Sequence, residues 1–117
     1  MTETMTTTIE AQHAMVCQYV HPTPDGPRFE VYNVTVRVVV CCEDGEDSPA
    51  SVRALLVGAL ESYGTLVEGT RNLGDTNGAA LARRLCTDLV ALDLDVRQVR
   101  WADGPAFAVV ERTPPTA

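Results

Sequence analysis

The side chains best suited to chemistry in this 117-residue sequence are few. His13 is one of two histidines, and an imidazole titrates near neutrality, so it can serve as general acid or base. It shares a strand face with Ala11 and Met15, where the plain alternative is a core histidine. Glu30 opens a valine-rich segment; it is either a strand-end carboxylate in water or a proton-moving carboxylate in a cleft. Tyr32 follows on the same face, about 7 Å along an extended chain, and can donate to a developing oxyanion or simply pack its ring. Arg71 can grip a carboxylate in bidentate fashion or, with Asn72, fix a loop. Trp101 offers a stacking face or a cap on the helix layer. Asp103 precedes Gly104-Pro105, where an Asp also suits a turn.

Composition narrows the chemistry. The sequence has no lysine. Schiff-base catalysis through a lysine amine, P-loop phosphate binding and pyridoxal-phosphate anchoring are thereby excluded. The net charge is −7, the wrong sign for a nucleic-acid surface. No apolar run approaches the roughly 20 residues that span a bilayer. The start, Met1-Thr2-Glu3-Thr4, lacks the basic and apolar regions of a signal peptide, so a cytoplasmic location is expected. Cys17, Cys41, Cys42 and Cys86 have no CxxC spacing and read as reduced, buried small hydrophobes.

The elements that position these residues follow from periodicity. Alternation from Ile9 to Val20 marks a strand with Ile9, Ala11, His13, Met15, Cys17 and Tyr19 on one face. His21–Pro27, with three prolines and Asp-Gly, reads as a loop. Arg28–Cys42 is a second, long strand with Tyr32, Val34, Val36, Val38 and Val40 on its buried side. Glu43–Asp47 is a solvated acidic turn without calcium-loop spacing. Ser48 and Pro49 start a helix, with Val52, Leu55, Leu56, Ala59 and Leu60 as its stripe and Gly64 as its end. Thr65–Gly74 is a connector. Asp75 or Thr76 caps a second helix with Leu81, Leu85, Leu89 and Leu92 on one face. Leu94–Trp101 and Ala106–Arg112 are the last strands, and Met1–Thr7 and Thr113–Ala117 are frayed. The order β-β-α-α-β-β predicts one α+β domain over residues 1–117, ordered from about 8 to 112. It would form a four-stranded antiparallel sheet with both helices on one face.

This order resembles the tunnelling fold of the 6-pyruvoyl-tetrahydropterin synthase and 6-carboxytetrahydropterin synthase family. The strongest local likeness is Arg71-Asn72-Leu73-Gly74-Asp75 followed by Asn77-Gly78-Ala79-Ala80-Leu81-Ala82-Arg83-Arg84-Leu85. It is similar to that family's HRNLND-like turn and ENLARxL helix. Val99-Arg100-Trp101-Ala102-Asp103 stands where a VWET-like element closes a strand. The resemblance implies a ring of protomers (trimer, tetramer or hexamer) that closes a β-barrel, with small-molecule pockets between subunits. It also implies a substrate-anchoring carboxylate near Asp103, with Glu68 as a second candidate, accepting N–H bonds from an amine-bearing ring.

Several positions depart from the family pattern. Of its three zinc-binding histidines, Ile9-Glu10-Ala11-Gln12-His13 keeps the first, while Glu30 and Tyr32 stand at the other two. Asp25-Gly26-Pro27 lies where the catalytic thiol would be, and Gly69-Thr70 replaces the Asp-His pair. The expectation is therefore a metal-independent, cofactor-free acid–base enzyme of natural-product biosynthesis. Its substrate would be a nitrogen-containing aromatic or heteroaromatic small molecule, and its reaction a condensation or ring closure of the Pictet–Spengler kind. Catalytic roles fall to Glu30, His13 and Tyr32, and substrate contacts to Asp103, Glu68, Arg71 and Trp101. The alternatives are a non-catalytic ligand-binding or scaffold protein and a pterin-pathway lyase or aldolase. The related dihydroneopterin aldolase uses a lysine that this chain lacks.

Overall fold

A computed structural model describes residues 5–43, 45 and 47–113. Its largest unit is a hairpin of two 18-residue strands, β1 (Thr6–Thr23) and β2 (Gly26–Glu43), paired in unbroken register from Thr6–Glu43 to Thr23–Gly26. Alternation sends Ile9, Ala11, Cys17 and Tyr19 from β1, and Val34, Val36, Val38, Val40 and Cys42 from β2, into one buried face. The segment 21–27, expected as a loop, is instead strand on both sides of a two-residue turn. Closing such a turn on the Thr23–Gly26 pair makes the next pair, Pro22–Pro27, a non-hydrogen-bonded one. There the missing proline N–H groups cost nothing. At the other end of the hairpin Thr6 and Thr7 are paired with Glu43 and Cys42 rather than frayed. Of the acidic turn, Asp44 and Glu46 lie outside the described residues, as do 1–4 and 114–117.

Helix α1 (Pro49–Leu60) starts as the sequence reads: Ser48 accepts from the Ser51 N–H, and the Ser51 hydroxyl accepts from the Ser48 N–H. It ends at Leu60, before Gly64, and buries Val52, Leu56 and Leu60. The second helix, α2 (Gly78–Val90), is capped by Asn77 rather than Asp75 or Thr76. The Asn77 side chain accepts from the Ala80 N–H at 2.9 Å, while the Thr76 N–H turns back to the Gly74 carbonyl. Leu81, Leu85 and Leu89 are buried, but Leu92 lies beyond the helix end and is exposed.

The connector 65–74 holds two short strands, β3 (Thr65–Val67) and β4 (Thr70–Gly74). They pair with each other, and β4 runs parallel to β1 from Val16–Thr70. The last hairpin is β5 (Asp95–Asp103) and β6 (Ala106–Glu111). The sheet is therefore six-stranded and mixed, in the order β3-β4-β1-β2-β5-β6, not four-stranded and antiparallel. A register shift against Val39 and Val40 lets Val96 and Val99 both point into the core. The architecture is α+β, with both helices contributing to the single core cluster on the sheet's inner face. No helix among the described residues is long and apolar enough to cross a membrane.

Candidate functional site

The helix layer does not cover the whole inner face. Beyond the start of α2, toward the tip of the long hairpin, a cavity of about 470 Å³ opens. Side chains Tyr19 and His21 of β1, Glu30 and Tyr32 of β2, and Asp103 at the end of β5 face it. Register and side-chain reach explain the convergence. Tyr19 pairs with Glu30 across the hairpin, whereas Asp103 pairs with Val34, four residues along β2 from Glu30, and joins the group through the Tyr19 hydroxyl. The first helical residue, Gly78, admits the carboxylate. A Cβ there would stand 3.0 Å from Asp103 Oδ2 and 3.1 Å from Trp101 Cδ1. The positive end of α2 thus lies against Asp103.

Two hydrogen-bonded sets line the cavity. In the first, the indole N–H of Trp101 donates to Tyr19 Oη at 2.9 Å, and the Tyr19 hydroxyl donates to Asp103 Oδ2 at 2.9 Å. An indole nitrogen can only donate, so the direction is fixed and Asp103 acts as an acceptor. Burial, together with its bond to Asp103, pushes the Tyr19 hydroxyl well above the usual tyrosine range. In the second set, the Tyr32 hydroxyl donates to Glu30 Oε2 at 2.8 Å. That bond raises the Tyr32 pKa and keeps the group a neutral donor. Arg28 Nε lies 3.2 Å from Glu30 Oε1, and His21 Nε2 lies 3.5 Å from Glu30 Oε2. The Tyr19 and Tyr32 rings stand 5.9 Å apart and join the two sets. Chemically this is a pair of half-buried carboxylates, one held beside a phenol and an imidazole. The arrangement can accept N–H groups and exchange a proton.

The structure brings Glu30, Tyr32 and Asp103 together and leaves the other expected residues elsewhere. Trp101 is fully buried, so it offers no stacking face to a ligand; its work is the hydrogen bond to Tyr19. Glu68 is exposed in the β3–β4 turn with φ 50° and does not line the cavity. Arg71 donates to the Tyr63 carbonyl at 2.8 Å, the loop-fixing role. His13 pairs with Val36, six residues from Tyr19 along β1, or about 20 Å in an extended strand. Its Nδ1 is buried without a partner. Burial, and then the charges of Arg53 and Arg71, lower its pKa. Sequence reasoning missed Tyr19 as a site residue and placed His21 in a loop. The signal was present: His21 continues the odd-numbered face of Ile9 to Tyr19, but the surrounding prolines read as a loop.

The zinc site that the resemblance implies does not fit these residues. His21, not His13, stands beside Glu30 and Tyr32. Both Glu30 oxygens already face donors, and the phenol is held neutral. Among the described residues no group of three or more His, Cys, Asp or Glu side chains could hold a metal ion. No family model matches the chain, and no curated protein matches it.

Proposed function

We propose that this chain is a divergent tunnelling-fold protein of the cytoplasm that catalyses acid–base chemistry, without a metal or other cofactor, on a nitrogen-containing aromatic small molecule. The observation that carries this reading is the meeting of Glu30, Tyr32 and Asp103 in one cavity. The reaction that best suits them is a Pictet–Spengler-type closure in natural-product biosynthesis. An amine and an aldehyde condense with loss of water, and the protonated imine is attacked by a carbon of the aromatic ring. Asp103 accepts an N–H of the substrate. Glu30 takes the ring proton, which restores aromaticity, and the Tyr32 hydroxyl steadies the carboxylate between its two states. No lysine is needed, because the imine forms between two substrate groups.

A closed ring of protomers accords with the outer sheet face, where Phe29, Val31, Phe107 and Val109 are exposed. Burying such apolar side chains between copies is favourable and would remove exposed sheet edges.

The test is incubation with a panel of arylethylamines and aldehydes. Cyclised product is told from open imine by its resistance to borohydride reduction. Product above the buffer rate is expected, with a loss of about 10²–10⁴-fold in Glu30→Gln, the usual contribution of a general base. A second reading, a binding module without turnover, draws on the same cavity, because both Glu30 oxygens already face partners. Tight binding of the amine with no product would establish that reading instead.

A further inference from the structure

We propose that His21 is the proton carrier of this cavity, passing protons between Glu30 on its Nε2 side and water beside Asp75 on its Nδ1 side. The proposal rests on the reading of Glu30 as a base and adds the route by which that base is reset. Nε2 lies 3.5 Å from Glu30 Oε2, and Nδ1 lies 3.9 Å from Asp75 Oδ1. The ring is held by stacking on Tyr19, with centroids 6.4 Å apart and planes at 22°. Its side chain is 36 % exposed, against 23 % for Glu30 and 69 % for Asp75. The three groups thus form a gradient from cavity to solvent.

The two ends of this row open on different spaces. Glu30 and His21 line the main cavity. Asp75 lines a second depression with Val20, Pro22, Gly26 and Gly74. Val20 and Pro22 point to the opposite side of the sheet from Tyr19 and His21, because strand side chains alternate. His21 is therefore the one imidazole within reach of both spaces among the described residues, since His13 lies far along β1.

The proton steps balance with no other reactant. Glu30 takes one proton from the substrate and becomes a carboxylic acid. A carboxyl is a stronger acid than an imidazolium, so the acid passes that proton to the Nε2 lone pair. Each carboxylate favours the N–H on the ring nitrogen that faces it, so the neutral ring populates both tautomers, and the one with Nε2 free accepts from the Glu30 acid. The imidazolium then releases its Nδ1 proton to water beside Asp75, and tautomer exchange restores the starting ring. The charged and titratable groups around His21 are Tyr19 on β1, Arg28, Glu30 and Tyr32 on β2, and Asp75 before α2. Asp103 on β5 reaches it only through Tyr19.

With two histidines in the chain, imidazole ¹H–¹⁵N spectra can follow His21 during a pH titration of the full-length protein without any ligand. The expected result is a neutral ring that populates both tautomers, its Nδ1–H share falling in Asp75→Asn and its Nε2–H share falling in Glu30→Gln. In the arylethylamine–aldehyde assay, His21→Phe keeps the stacked ring and should lose at least about tenfold in rate. His21→Ala should be restored by added imidazole. A tautomer balance that neither Glu30→Gln nor Asp75→Asn moves overturns the proposal. So does a His21→Phe variant with the wild-type rate while Glu30→Gln is impaired. Full activity in Glu30→Gln would instead remove the base reading on which the relay stands.

Discussion

His13 and His21 sit on the same strand, face the same side of the sheet and are separated only by position along β1, yet their surroundings are opposite. His13 lies in the stretch of β1 that helix α1 packs over; Arg53 of α1 donates to the neighbouring Gln12 carbonyl. There the imidazole is desolvated, faces cations and leaves Nδ1 unpaired. His21 lies beyond both helices, between two carboxylates and beside a cavity. A sheet face that outruns its helix cover has two fates: core where a helix covers it, and site where none does. Residue type alone does not distinguish them, because the strand delivers the same face to both.

The largest effect that would probe this contrast is at the boundary between the two regions. Trp101 is fully buried and its indole N–H holds Tyr19. Trp101→Ala should cost about 3–5 kcal/mol in denaturant unfolding and also release the cavity's first hydrogen-bonded set. A cost below about 1 kcal/mol would mean that the boundary is not packed as described. Tyr19→Phe is smaller: it leaves the buried Trp101 N–H without an acceptor, for about 1–3 kcal/mol. It also frees Asp103 to reorient, so binding of an amine-bearing substrate should weaken, which a KM comparison reads out.

The smallest effect is at His13, and its sign follows from linkage. Its pKa is lowered in the fold, so the unfolded chain binds the proton more readily. The stability that this neutral imidazole contributes is fully present above the unfolded pKa of about 6.5. It is lost as pH falls from there through the folded pKa. His13→Gln should flatten that acid limb in thermal melts between pH 7 and 5.

Much of the fold, though not this contrast, was legible in the sequence. Strict alternation from Ile9 and from Arg28 revealed the long hairpin and its inner face, and Ser48-Pro49 marked the first helix. Glu30, Tyr32 and Asp103 could be singled out because a carboxylate or phenol on an otherwise aliphatic strand, or beside Gly-Pro, is a local signal. The β3–β4 ribbon was not legible. Its strands are three and five residues long, too short for periodicity, and the parallel pairing of β4 with β1 is a tertiary event. His13 drew attention in place of His21 because nothing local tells how far a helix will extend over a strand. Pro22 and Pro27 disguised the strand around His21, since their harmless placement depends on the register of the hairpin. Asn77 capped α2 in place of Asp75 or Thr76, a choice among adjacent cap-competent residues that local preference does not resolve.

The central claim is that chemistry belongs to the open end of the sheet and not to the covered one. The most direct measurement pairs turnover of the arylethylamine–aldehyde panel with thermal stability for Glu30→Gln and His13→Ala. The account predicts that Glu30→Gln loses about 10²–10⁴-fold in rate with an almost unchanged melting temperature, while His13→Ala keeps its rate. An active Glu30→Gln beside an inactive but folded His13→Ala would contradict it.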